Sequence, residues 1–475
     1  MSTHKSFLTF LLGASFLASS GAVAAQTSSA ADRREVSITV YNGNFGLVRE
    51  VRDVAVGTGR VPLEFRDVAA TIQPETVHIR ALGGAQSLGV LEQNYRYDLL
   101  TPQKLLEKHV GQEVRLHRYN ERLGREDSFD ARLLSVVNGQ AVVEMNGEVT
   151  YGFPGRFSFP SVPENLMAKP TLVWLLDSKQ ARQQLEVTYL TRGMNWKADY
   201  VLVVNEAETG GALTGWVTLE NRSGASYENA RLKLVAGDVQ RVSTPARVDV
   251  RYKAMGGPPA PAPAGFQEES FFEYHLYTLQ QPTDVRDNEQ KQVALLEAKS
   301  VRIQKKLIFF GQQYWYRGQY GQVQSNQKVG VYLDLKNSQE NGLGMPLPKG
   351  TVRVYKADKS GSQQFIGEDA IDHTPRDEEV RIKMGEAFDV VGERKQTRWS
   401  SLGTCSGESA WEIELRNHKD QATQVEIFEP VGGDWTISES SHPYQRKDAN
   451  TFTFDVKVPA KGKAKVTYRV RTRWC

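Results

Sequence analysis

The residues able to do chemistry fall into a few short clusters. Glu268, Glu269, Glu273 and His275 stand within Glu268-Glu-Ser-Phe-Phe-Glu-Tyr-His. Paired carboxylates can serve as acid and base in glycoside hydrolysis. Glu273 and His275 would share one strand face and could hold a metal ion. A charged loop edge leading into a half-solvated strand accounts for the same residues. Asp369, Asp372 and His373, in Glu368-Asp-Ala-Ile-Asp-His-Thr-Pro, could bind a cation, and a turn built on Asp and Pro explains them as well.

Gly403-Thr-Cys-Ser-Gly has the lettering of a nucleophile elbow. An elbow needs a strand-to-helix turn in an α/β sheet and a base beside it, and nothing in this chain reads as α/β. The sequence also lacks His-Glu-x-x-His, a P-loop and a Rossmann glycine pattern. No catalytic residue, metal ligand set or cofactor is therefore assigned.

The most unusual run is Phe309-Phe-Gly-Gln-Gln-Tyr-Trp-Tyr-Arg-Gly-Gln-Tyr. Tyr314, Trp315, Tyr316 and Tyr320 sit there among Gly and Gln without clean alternation. Rigid rings with polar tips suit stacking on sugars or a protein interface, which predicts a solvent-exposed binding run. The competing reading is a hairpin whose rings cover a core edge.

The background to these clusters is a chain of 475 residues, 40% apolar and 24% charged, with a net charge of +3. That length exceeds one ordinary core and calls for two to four domains. Nucleic-acid binding would call for a concentrated basic stripe, and none is seen. Lys5, the apolar Phe7 to Leu17 and the small residues Ala22-Val-Ala-Ala make a cleavable leader over 1–25. No later apolar run reaches the roughly 18 residues of a membrane span. The expected location is periplasmic or extracellular. Cys405 and Cys475 are the only cysteines; in an oxidising compartment they are a disulfide candidate.

The elements that must carry these residues are nearly all strands. Leu185 to Gly237 is the organising stretch: Leu185, Val187 and Tyr189 alternate, then Trp196, Ala198, Tyr200, Leu202 and Val204, then Val217 and Leu219. This period of two predicts three or four antiparallel strands in one core sheet. Ahead of it, 34–92 reads as a small β domain. Thr101-Pro opens a short helix, and 102–163 reads as an SH3-like small barrel whose hairpins turn at Asn138-Gly and Asn146-Gly. The central β domain spans 170–385 and is broken by a Pro-Ala loop over 255–265; the Gln292 run within it is equally compatible with a helix. The alternation in 386–475 predicts an immunoglobulin-like sandwich. No regular internal repeat is visible. The fold class is all-β and multidomain.

Tyr189-Leu-Thr-Arg-Gly-Met-Asn-Trp-Lys-Ala-Asp-Tyr, Gly342-Leu-Gly-Met-Pro-Leu-Pro-Lys-Gly-Thr-Val-Arg-Val-Tyr, Phe271-Phe-Glu-Tyr-His-Leu-Tyr and the Trp411 tail resemble the bacterial family called domain of unknown function 4139 over about residues 170–475. Val36-Ser-Ile-Thr-Val-Tyr through Ile72-Gln-Pro-Glu-Thr-Val resembles the N-terminal β domain of mucoidy-inhibitor-like proteins, which carry a coiled coil where this chain has Gly111 to Phe159. The resemblance implies exported β domains and transfers no active site.

Together these readings describe a non-catalytic binding or structural module of the cell envelope, with an envelope protein or polysaccharide as partner and no nucleic acid. The rival reading is a carbohydrate-active hydrolase using carboxylates near Glu269 and Glu273. The leader makes a direct prediction: the exported protein begins after Ala24 or Ala25, and an intact mass that retains Met1 would contradict it.

Overall fold

A computed structural model describes residues 25–84, 87–163, 166–167, 169–237, 239–241, 266–320 and 322–475. The leader up to Ala24 and the Pro-Ala loop over 255–265 lie outside the described residues. The fold is all-β, and the only α-helix among the described residues is Pro102–Lys108. The chain divides into two compact units, residues 1–35 with 49–189, and residues 36–48 with 190–475. The division runs through three strands, Arg33–Tyr41, Phe45–Ala55 and Arg182–Arg192.

In the first unit, a four-stranded sheet runs in the order Gln26–Ser28, Gly59–Arg66, Thr171–Ser178, Leu88–Arg96. Val61, Leu63 and Phe65 alternate inward, and Leu172, Trp174 and Leu176 do the same on the neighbouring strand. A second, five-stranded antiparallel sheet stands where the small barrel is expected, ordered Glu148–Tyr151, Gln140–Met145, Arg125–Val137, Glu113–Asn120, Arg156–Ser158. It buries its own core of Val114, Leu116, Ala131, Leu133, Ala141 and Val143. Its turns follow from sequence: Asn138 and Gly139 have φ of 51° and 78°, and Asn146 and Gly147 have 53° and 82°. Both central residues of such a turn need positive φ, which Asn and Gly tolerate best. The helix is capped as expected, with Thr101 Oγ1 accepting from the Lys104 N–H at 3.2 Å.

In the second unit, Met194–Val204 and Gly210–Asn221 form the expected hairpin, from Met194 opposite Asn221 to Val204 opposite Gly211. Glu289–Arg302 joins one edge as a strand, which resolves the Gln292 ambiguity against a helix; the branched Val293 and Val301 and the partner strand favour extension. Gly350–Ala357, parallel to Met194–Val204, and Gln363–Ile371 complete five strands. The single core sheet expected over Leu185 to Gly237 is corrected here. Tyr227–Ala236 belongs to another sheet, parallel to Ser37 through Tyr41 and antiparallel to Tyr274–Leu279. Alternation specifies which side chains turn inward but not which strand lies alongside. Rings bridge these layers within the second unit: Trp196 Nε1 donates to the Val235 carbonyl at 3.2 Å, and Tyr277 and Tyr200 donate to Pro346 and Pro348 at 3.0 and 2.7 Å.

The last sheet has nine strands, ordered Asp434–Ser440, Lys463–Arg473, Ser406–Asn417, Glu379–Gly403, Gln322–Lys336, Gln304–Phe310, Thr423–Pro430, Thr451–Val458, Gln445–Asp448. Its two edge strands are consecutive in the chain, joined by residues 441–444 alone, so the sheet curls on itself into a sandwich. The sandwich read over 386–475 is thus completed by strands from 304–336. Its interior holds Trp411, Ile413, Leu415, Val425, Ile427, Phe454, Val466 and Tyr468.

Three buried asparagines repeat one device across the second unit. Asn221, Asn337 and Asn417 each end or follow a strand, two residues after a leucine. Each amide donates to loop carbonyls: Asn221 to Ala225 at 2.9 Å, Asn337 to Pro375 at 2.8 Å and Asn417 to Gln421 at 2.8 Å. Each side-chain oxygen accepts a nearby backbone N–H, from Ser223, Gly344 and Lys419. A strand end must place its backbone groups somewhere, and one amide serves several of them.

Cys405 and Cys475 form a disulfide with Cα atoms 5.6 Å apart, 70 residues apart in sequence. Ser406–Asn417 and Lys463–Arg473 run antiparallel with Ser406 opposite Arg473, which brings the start of one strand to the finish of the other. Replacing both cysteines with serine is expected to lower stability by up to about 4 kcal/mol, the chain-entropy value for a loop of this size. Urea denaturation compared with wild type measures it, and an unchanged midpoint would contradict it.

Candidate functional site

The aromatic run Phe309 to Tyr320 does not fold as an exposed strand. Gln313–Arg317 is a short 3-10 helix, and it turns Trp315 and Tyr316 into the sandwich, where they are 4% and 1% exposed. The expectation of solvent exposure is therefore wrong for these two. The physical reason is a buried charge pair. Arg394 and Glu429 are fully enclosed and bonded to each other. Tyr316 donates its hydroxyl to Glu429 at 2.6 Å and lies 2.8 Å from the Tyr468 hydroxyl. The Arg394 guanidinium lies against the Trp315 and Phe309 rings, 4.8 and 5.1 Å from their centroids, a cation–π arrangement. Burial pushes the Tyr316 and Tyr468 phenols well above their usual range, and the Glu429 charge adds to this. Both therefore act as neutral hydroxyls.

Of the run, Tyr314 remains 54% exposed, and Tyr320 is half-buried. Their rings meet edge to face at 5.9 Å, and the Tyr320 N–H donates to Gln396 Oε1 at 2.6 Å.

Within the carboxylate cluster, Glu268 is taken up by structure. Phe266–Phe271 and Tyr274–Leu279 form a hairpin. Glu268 bonds His275 Nδ1 at 2.8 Å and faces Arg376 at 3.5 Å. His275 therefore takes Glu268, not Glu273, which lies exposed in the turn. Glu269 is exposed on the other strand face. Asp369 accepts the Lys383 N–H at 2.7 Å, and His373 Nδ1 accepts the Lys349 N–H at 3.2 Å. Asp372 is exposed. Among the described residues, no three His, Cys, Asp or Glu side chains gather as a metal site. Cys405 stands in a hairpin turn between two strands, not in an elbow.

The structure does assemble a site that sequence reading missed. On the outer face of the nine-stranded sheet, Phe310 and Phe428 stand opposite each other on neighbouring parallel strands, ring centroids 5.1 Å apart. Tyr332, on the strand at the other side of Phe310, meets its ring edge to face at 5.9 Å and completes a tilted three-ring shelf, with Phe428 inclined at 51° to Phe310. Gly330 allows this: a Cβ there would lie 2.7 Å from the Tyr332 ring, so the ring can lie across the strand only over a residue without a side chain. Phe310 is 38% exposed. A hollow of about 390 Å³ opens beside the shelf, edged by Gln327, Lys328, Lys383 and Glu386. A second, also about 390 Å³, shares only the strand Gln304–Phe310 with the first and is lined by Gln304, Gln424, Gln445, Glu426, Asp455 and Lys447.

Charges on this face come largely in pairs. Arg381 and Lys306 bond Asp334 at 2.7 and 2.9 Å, Lys328 faces Glu386 at 3.4 Å, and Lys447 faces Glu426 at 3.6 Å. Burial alone would raise the Asp334 carboxyl, but its bonds to Arg381 and Lys306 outweigh this and hold it below the usual carboxylate range. The only sequence signal for the shelf was Gly330 inside the alternating run Val329 to Leu335, which marks a close approach.

Fold and site define an all-β, multidomain protein with a C-terminal sandwich that carries a ring-lined outer face. A family model described as Domain of unknown function (DUF4139) matches residues 185–475, and the chain belongs to that family. No curated protein matches it. Among the described residues no helix is long and apolar enough to cross a membrane.

The buried pair yields a prediction. Glu429→Gln strands the Arg394 charge and is expected to cost about 3–5 kcal/mol, while Arg394→Met with Glu429→Leu costs much less. Denaturant titration of the two variants distinguishes them; equal losses would show that the pair does not act as a unit.

Proposed function

We propose that the protein is an exported, non-catalytic binding module of the cell envelope, working through the outer face of its C-terminal sheet. The Phe310–Tyr332–Phe428 shelf carries this reading. Rings held rigidly at a surface present contact area at little entropic cost to a partner, and here a glycine within the strand makes room for one of them. The hollow beside it and a second further along Gln304–Phe310 supply polar groups that can orient a ligand. The leader and the Cys405–Cys475 disulfide support export to an oxidising compartment.

The hydrolase reading draws no comparable support. A general acid depends on an apolar, enclosed setting, whereas Glu269 and Glu273 are exposed at a hairpin.

The partner is a component of the envelope, either polysaccharide or protein. Purified full-length protein is expected to co-sediment with the envelope fraction of its own source. Phe310→Ser with Tyr332→Ser should reduce the bound amount at least tenfold, with a melting temperature within a few degrees of wild type, as for ordinary surface changes. Undiminished binding by a folded variant would overturn the reading.

A further inference from the structure

Resting on that reading, we propose that the partner is a neutral, linear glycan, gripped at two successive subsites: a sugar ring stacked on the shelf and its neighbours hydrogen-bonded in the adjoining hollow. Three features of the face select this chemistry.

The first is continuity. Phe428 stands opposite both Phe310 and Thr453, and Thr453 stands opposite Gln445. A single row therefore crosses four neighbouring strands, with rings at one end, the Gln445 amide at the other and Thr453 buried between them. At the strand spacing of about 4.8 Å, this row is roughly 14 Å long, enough for a few linked pyranoses in extended form. A stacking platform at one end and side-chain amides at the other match a ligand with apolar ring faces and hydroxyls around its rim.

The second is charge. Arg381, Lys306, Lys328 and Lys447 each face a carboxylate within 3.6 Å on this surface. Lys305, at the edge of the second hollow, is bonded to Glu208 at 2.5 Å. An anionic polymer would have to compete with these carboxylates for each cation. A neutral ligand leaves them in place, and the paired carboxylates stay available as acceptors for sugar hydroxyls.

The third is area. The shelf is three rings, of which Phe310 is 38% exposed and the others half-buried. Specific protein partners bury about 800 Å² on each side around an apolar centre. Three partly covered rings bordered by Lys, Gln and Glu make a poor centre for that. They match the stacking of one or two sugar rings.

The test is isothermal titration and affinity electrophoresis of the exported full-length protein. The probes are cellohexaose, maltohexaose and chitohexaose, their trisaccharides, and polygalacturonate as the acidic control. One neutral hexasaccharide is expected to bind, at least fivefold more tightly than its trisaccharide. Raising salt to 0.5 M should change its affinity less than twofold, since an uncharged ligand is not screened. Phe310→Ala should weaken binding at least tenfold, and Gln424→Ala with Gln445→Ala about threefold or more. Gly330→Ala, which must displace the Tyr332 ring, should act like Phe310→Ala, and it keeps the test valid if the aromatic variants unfold. Three outcomes overturn the inference. Shelf variants that lose envelope capture while no neutral hexasaccharide binds would leave the binding face standing and make its partner a protein. Tighter binding of polygalacturonate would reverse the charge assignment. Binding of a hexasaccharide that survives every shelf variant would place the glycan elsewhere on the molecule.

Discussion

The buried Arg394–Glu429 pair is the constraint on which the C-terminal sandwich depends. Two charges without access to water are tolerable only if each satisfies the other and their remaining faces find partners. Glu429 obtains the Tyr316 hydroxyl, and Arg394 lays its guanidinium on Trp315 and Phe309, while its Nε and Nη2 reach no acceptor. Those contacts pull the Gln313–Arg317 turn into the core and fix where the preceding strand must stop. Gly311 marks the closeness of the fit, because a Cβ there would meet Glu429 Oε2 at 2.1 Å. Such a pair adds little net stability over an apolar core. Its contribution here is to register, since Glu429, Arg394 and Tyr316 come from three separated segments that meet in one arrangement.

The first unit uses the same solution independently. Glu50 and Arg52 are fully buried and bonded at 2.9 Å, and Tyr189 donates to Glu50 at 3.3 Å. The Arg52 guanidinium lies 3.6 Å from the Phe65 ring centroid and donates to the Arg66 carbonyl at 2.8 Å. Carboxylate, guanidinium, phenol and aromatic face recur in both units. Each set joins strands distant in sequence.

From the inward pull on Phe309 follows the outward shelf. Strand neighbours point to opposite faces, so a Phe309 held under Arg394 obliges Phe310 to face solvent. The outer ring shelf is in this sense the reverse side of the buried pair. Gly330 and the parallel pairing with Thr423–Pro430 then decide that Phe310 meets two other rings rather than standing alone.

Much of this was legible in the residues. Alternation in Met194–Val204 and Gly210–Asn221, the Asn-Gly turns and the Thr101 cap are local effects, set by side-chain period and backbone φ within a few residues. The Asn221, Asn337 and Asn417 device escaped notice because its copies share only a leucine and an asparagine and recur at unequal intervals. The aromatic run was misread for a related reason. Trp315 and Tyr316 have no internal period, and their burial comes from Glu429 and Arg394, far away in the chain. The sequence alone determined the all-β class, the family resemblance and the two cysteines that could pair. Only the tertiary structure decided which strands lie side by side. That choice united Cys405 with Cys475 and set Phe310 beside Phe428 and Tyr332. Strand pairing is a contact between distant segments, and its free energy depends on partners that no local window contains.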